Sequence, residues 1–375
     1  WRALMYLFLD QLTPDHVEAI AALVQMEMLE AGYATNVEFH YLHHARDGNA
    51  YDNRAEMAER IMAATETTGI GLTMLPVHYQ YGGCDRRPPV RGQCRFHNDL
   101  DGFTALCEGV RDGLGNLPAD TVFGVAPHSL RAVSPDSLAL TRALANGGPF
   151  HMHLAEQRAE IEEVSHHLGA RPVEWVLRNF EAGPDCCFIH CTQMQPHETS
   201  GLAATGAIAG LCPITEASLG DGIFDGVGWF EAGGMIAIGS DSNIRISLSE
   251  ELRSLEYSQR LRDRSRAALA TSAASTGRHI LDAMIAGGTR AAGRHTGQIA
   301  AGYWADLMAL DTQSVSLAGR RKDQVIDSFI FAGDDHLVRD VWSAGRHQVS
   351  GGRHKNHDKI TSAYHAALKS LRHDL

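Results

Sequence analysis

Hydrophobic positions along this chain switch repeatedly between a period near 3.6 and a period of 2. Thr13-Pro14-Asp15 is a helix start, with a threonine cap and proline at the first helical position. Apolar residues follow at Val17, Ile20, Leu23, Val24 and Met28, and Gly32 closes the run. The pattern then predicts a strand over about 34–40, a helix over 54–68 and a strand over 70–76. A long loop with Tyr79, Tyr81 and two adjacent prolines precedes a helix near 99–113 and a strand over 121–126. Ser134-Pro135 starts the next helix, and strands are predicted over 150–154, 186–190, 207–211 and 235–239, with helical pattern between them.

Strict alternation of strand and helix implies a parallel sheet with right-handed crossovers. Polar residues recur just after strand ends: Tyr41, His78, His128, His153, His190, Thr215 and Asp241. In an α/β barrel all such positions converge on one mouth, whereas an open doubly wound sheet uses only its switch point. The reading is therefore a (β/α)8 TIM-type barrel in which seven strands are visible and the first is expected to precede Trp1. Residues 1–296 are assigned to this barrel. After it, Gly297-Gln298-Ile299 and short strands expected at 306–310, 325–331, 338–344 and 347–349 suggest a small β-sandwich portion over 297–355, followed by a C-terminal helix within 356–375.

Composition narrows the function. The formal net charge of −12 argues against a nucleic-acid partner. No apolar run approaches the roughly 20 residues that span a bilayer, and there is no signal-like start. Seven cysteines without a CxxC pair fit reduced thiols in the cytoplasm rather than a disulfide framework.

The densest chemistry is His151-Met152-His153-Leu154-Ala155-Glu156-Gln157. Alternation places His151 and His153 on one side of a strand, and Glu156 falls where the chain turns out of it. Imidazole suits zinc, and a nearby carboxylate outside the ligand set can carry protons. The same residues also read as two core histidines followed by a helix-starting glutamate.

Several ordered blocks resemble the amidohydrolase superfamily: a histidine before a glutamate at +3, a histidine ending the next strand, Ser240-Asp241-Ser242 ending the last, and the Gly297-Gln298-Ile299 to Ala305-Asp306-Leu307 tail. Within it the chain is most similar to the formimidoylglutamate deiminase branch. Trp1-Arg2, Glu38 to His44, His128 to Val133, His151 to Gln157, Thr215 to Phe224 and Glu256 to Arg264 carry that likeness. The resemblance implies hydrolysis of N-formimino-L-glutamate to N-formyl-L-glutamate and ammonia, a step of L-histidine degradation, by a zinc-dependent homodimer with one ion per subunit. It implies His153 and Asp241 as metal ligands, with two further histidine ligands expected upstream of Trp1, so that the chain as written is expected to bind metal poorly. It makes Glu156 the general base and then acid. His190 orients the attacking oxygen or stabilises the tetrahedral intermediate, and Asp241 accepts a hydrogen bond from that oxygen. Arg2 and Arg131 are implied as partners of the substrate's two carboxylates, with Tyr41 and His128 as hydrogen-bonding groups. His151 becomes a packed or supporting residue. Arg245 and the loop 82–93 receive no role, and Gly220-Asp221-Gly222 is a turn or a lid hinge. Two other readings stand beside this one: a deaminase acting on a purine or pterin ring, and a barrel that binds without catalysis.

Overall fold

The computed structural model describes residues 2–373. Its strands are β1 (Thr35–His40), β2 (Gly71–His78), β3 (Val122–Phe123), β4 (Ala126–Pro127), β5 (Phe150–Leu154), β6 (Cys186–His190), β7 (Ile208–Leu211) and β8 (Met235–Ile238), then β9 (Leu307–Leu310), β10 (Val338–Ser343), β11 (Arg346–Ser350) and β12 (Arg353–His354). Strands β1 to β8 pair only in parallel. The ladder runs from β1 to β2, from β2 to both β3 and β4, and from β5 through β6 and β7 to β8. A bridge between Val125 and Phe150 joins the two halves. Helices connect most of these strands, so the chain builds a curved parallel sheet with a helical outer layer, as the alternation predicts.

The predicted strand over 121–126 is two short pieces, and Gly124 between them shows why. A Cβ there would meet the Pro149 carbonyl oxygen at 2.4 Å and the Leu75 side chain at 2.6 Å. The break lets β5 come close while both pieces still pair with β2.

Alternation sorts the two faces of the sheet. On β5, Phe150, Met152 and Leu154 join the large cluster beneath the helices, as Phe188 on β6 and Leu72 and Met74 on β2 do. The intervening residues face inward, where Cys187 and Ile189 pack with Ile208, Cys212 and Ala237, and Leu75 and Val77 pack with Ala126. The C-terminal end of helix Thr276–Ala291 enters this interior. Ala291 joins the inner cluster, His151 Nε2 donates to its carbonyl at 2.7 Å, and Thr73 Oγ1 donates to that of Ala292 at 2.7 Å. His151 is thus a packed residue, as expected.

The tail forms an antiparallel sheet in the order β12-β11-β10-β9. One expectation fails here: 325–331 is not a strand but part of helix Asp323–Phe331. Val325, Ile326, Phe329 and Ile330 fall at helical spacing, which a short apolar run does not distinguish from a strand. Asp327 anchors this helix by accepting from Gly277 N at 2.8 Å and Ser275 Oγ at 3.0 Å. The terminal helix, His357–His373, packs on helix Pro14–Glu30.

Candidate active site

The polar residues that follow the strands converge at the C-terminal ends of β1, β4, β5, β6 and β8. Among the described residues, His153, His190 and Asp241 bring one ligand atom each to within 4.8 Å of one another. The two rings are 5.5 Å apart between centroids. His153 donates from Nδ1 to the His128 carbonyl at 3.0 Å. His190 donates from Nδ1 to Glu216 Oε1 at 3.2 Å. Both hydrogen bonds orient the rings, and on His153 the lone pair falls on Nε2, as a metal-binding imidazole requires. Two imidazole nitrogens and a carboxylate form a donor set that fits a divalent metal. The sequence reading placed His153 and Asp241 in this set; the structure adds His190.

The backbone carrying these groups is held in unusual conformations. His190 has φ of 72°, Asp241 54° and Ala155, just before Glu156, 53°. Non-glycine residues in this left-handed region are costly and concentrate at functional sites. Each is clamped. Thr215 Oγ1 donates to Ser240 O at 2.9 Å and accepts from Ser242 N at 3.2 Å, which fixes the turn that presents Asp241. Glu160 is fully buried and takes the amides of Ala155 at 3.1 Å and Glu156 at 2.8 Å. Sequence reasoning missed Glu160 and gave Glu216 no role. The available signal was position: each is an acidic residue within the first helical turns after a barrel strand.

Glu156 lies 3.8 Å from the Arg131 guanidinium, and its Oε1 accepts from Gln157 Nε2 at 3.2 Å. Burial disfavours the Arg131 cation, but Glu160, Glu156 and Glu163 outweigh it and raise its pKa, and the Nε of this guanidinium has no hydrogen-bond partner. His128 stacks on His153 at 5.1 Å and meets Tyr41 edge-on at 5.8 Å and Tyr79 at 4.9 Å. Burial, then the His153 and Arg131 charges, hold His128 well below the usual imidazole range, so it stays neutral. Burial and the charge of Asp241 push the Tyr41 phenol well up, so it remains a donor. For His190, burial works against the charged ring, yet Glu216, Glu156 and Asp241 prevail and raise it to about 9.

Seven of the eight predicted site residues therefore surround one mouth. The eighth, Arg2, starts helix Arg2–Leu9, and its side chain lies outside the described residues. Arg245 pairs with Glu250 on the surface, and the loop 82–93 sends Gln93 Nε2 to Tyr79 OH at 2.8 Å. Gly220 is the left-handed cap of helix Pro213–Leu219, so Gly220-Asp221-Gly222 is a turn.

Comparison with known proteins places this geometry. A formimidoylglutamate deiminase of Pseudomonas aeruginosa is 41% identical over 373 residues, which is 99% of this chain and 82% of that protein. The crystal structure of an amidohydrolase from Brucella melitensis superposes with a TM-score of 0.95 at 46% identity, covering 99% of this chain and 82% of that one. An adenosine deaminase from Xanthomonas campestris with bound zinc shares the fold at a TM-score of 0.80 and 21% identity, covering 96% of this chain and 76% of its own. The pattern of the Amidohydrolase family matches residues 2–347, and the chain belongs to that family.

Proposed function

We propose that this chain hydrolyses N-formimino-L-glutamate to N-formyl-L-glutamate and ammonia, a step of L-histidine degradation. The observation that carries this reading is the 41% identity, over 99% of the chain, to a formimidoylglutamate deiminase. The site's chemistry supports it. We take His153 and Asp241 to hold one zinc ion per subunit, and the ion when bound would supply Lewis acidity and an acidified water.

The remaining work falls to the protein's own groups. Glu156 removes a proton from the attacking water as its oxygen bonds to the formimino carbon. It then delivers that proton to the terminal nitrogen of the substrate, bound as its amidinium; as the C–N bond breaks and ammonia leaves, the hydroxyl proton passes to Asp241 and the formyl carbonyl forms. Gln157 and Arg131 hold the Glu156 carboxylate from two sides. His190, fixed by Glu216, presents Nε2 toward the attacked centre, where it steadies the developing charge on oxygen. The free Nε edge of Arg131 suits a substrate carboxylate, Arg2 is assigned to the other, and the Tyr41 hydroxyl and neutral His128 add hydrogen bonds. All seven cysteines are free thiols, which supports a cytoplasmic location.

The test is ammonia release from N-formimino-L-glutamate by the metal-loaded protein, with N-formyl-L-glutamate accumulating in equal amount. Release of ammonia from a purine or pterin ring but none from the linear amidine overturns the proposal.

A further inference from the structure

Asp221 is a second carboxylate at this mouth that the mechanism leaves unused. It is 7% exposed, and its Oδ2 has no hydrogen-bond partner. Its position is imposed by the backbone. Its N–H donates to Glu216 O at 3.0 Å, and its carbonyl accepts from Gln193 Nε2. Gln193 in turn donates its own N–H to Ala155 O at 2.8 Å. Gly222 follows with φ of 125°, and a Cβ there would meet Gln193 Nε2 at 2.8 Å. The turn is thus tied to both the Glu216 that fixes His190 and the Ala155 that precedes Glu156.

The side chain shares its electrostatic surroundings with the same centre. Gln157 donates to Glu156 Oε1 at 3.2 Å and also favours the charged form of Asp221, so one amide acts on both carboxylates. Glu156, His190 and Glu216 are the charged groups that act on Asp221 there. A buried acceptor left unpaired is costly, so such an atom calls for a donor. Beside a second carboxylate, a cationic donor is favoured over a neutral one.

The substrate in the proposed function carries such a donor. An amidine is a strong base and enters a site at neutral pH as an amidinium, planar and bearing N–H on both nitrogens. We propose that Asp221 is a specificity-determining residue that accepts an N–H from the terminal nitrogen of the amidinium, so that Glu156 and Asp221 together read the cation. No bond to Asp221 forms or breaks. It holds the nitrogen that Glu156 protonates and that leaves as ammonia. This inference rests on the proposed function.

The product supplies the control. N-formyl-L-glutamate keeps both carboxylates but replaces the amidinium by a neutral formamide. In the metal-loaded Asp221→Asn variant, kcat/KM for N-formimino-L-glutamate is expected to fall about 10- to 100-fold, the worth of one charge-assisted hydrogen bond. Binding of N-formyl-L-glutamate, read by calorimetry, is expected to stay within about twofold, since a neutral group is indifferent to the lost charge. Equal losses for both ligands make Asp221 a turn-forming residue only and overturn the inference. No loss for either also overturns it. If the unsubstituted protein leaves N-formimino-L-glutamate intact, the proposed function fails first and the inference with it.

Discussion

The Nδ1 of His190 lies 3.2 Å from Oε1 of Glu216, and the same oxygen accepts the Cys212 amide at 2.9 Å. One buried carboxylate thereby orients the imidazole and pins the start of the helix that follows β7. Glu216→Gln keeps the shape but removes the charge and one acceptor. A supporting carboxylate of this kind is worth about 10- to 100-fold in metal affinity or activity. We expect a loss of that size in kcat/KM with the fold intact by circular dichroism. An unchanged rate would show that the pair is structural alone.

Arg131 separates the linear substrate from ring substrates. Its guanidinium is mostly buried, 3.8 Å from Glu156, with Nε unpaired. Losing a charge-assisted contact to a carboxylate costs about 1.5–3 kcal/mol, or roughly 10- to 150-fold in kcat/KM. Arg131→Gln is expected to show that loss on N-formimino-L-glutamate, mainly as a raised KM. Full activity of this variant would remove Arg131 from the binding set. Because buried Glu160 then loses the Arg131 charge that favours its carboxylate, a lowered Tm is expected as well.

Much of this site was legible in the sequence because alternation is a local property. His128, His153, His190 and Asp241 each end or follow a strand, and a barrel gathers strand ends whatever the intervening helices do. Supporting groups were harder to see. Glu160 looks like any acidic residue in a first helical turn, and only the left-handed Ala155 beside it shows why that turn needs a buried acceptor. Asp221 looks like a turn residue between glycines, and its placement depends on Gln193 arriving from another loop. In the helix Asp323–Phe331 the apolar run is too short for its period to decide between helix and strand, and docking on Ser275 and Gly277 holds the helical form.

Acid should destabilise the protein through its buried histidines. Burial pulls His40, His78 and His151 each down to about 4 from 6.5. The folded rings stay neutral where the unfolded ones protonate. Stability is therefore fully present above about 6.5 and falls as pH drops toward 4, by about 1.4 kcal/mol per pH unit for each ring. Buried Glu251 acts oppositely. Burial and nearby carboxylates push it up to about 9, so its contribution is present at low pH and lost as pH rises through 9. Three rings outweigh one carboxyl below 6.5, and Tm should peak near neutrality. A Tm that is flat between pH 4.5 and 6.5 would contradict this assignment.

A buried ion network joins the barrel to the tail sheet, and its members should not be equivalent. Arg294 is fully buried and meets Asp120 Oδ2 at 3.0 Å and Asp306 Oδ2 at 3.0 Å. Asp120 precedes β3, and Asp306 precedes β9 and accepts the Ala344 amide at 2.7 Å. Arg346 on β11 reaches Asp120 at 2.7 Å but is one-third exposed. Removing the central partner of a buried pair leaves charges stranded and costs about 3–5 kcal/mol, whereas a solvated pair contributes about 1 kcal/mol or less. Arg294→Met is thus expected to lower unfolding free energy in urea by about 3–5 kcal/mol, and Arg346→Met by well under half of that. Gly71 supplies an independent check, since a Cβ there would lie 2.5 Å from the Arg294 guanidinium. Gly71→Ala should displace Arg294 and destabilise the protein in the same sense without removing any charge. Equal costs for Arg294→Met and Arg346→Met would mean that burial does not set the strength of this network.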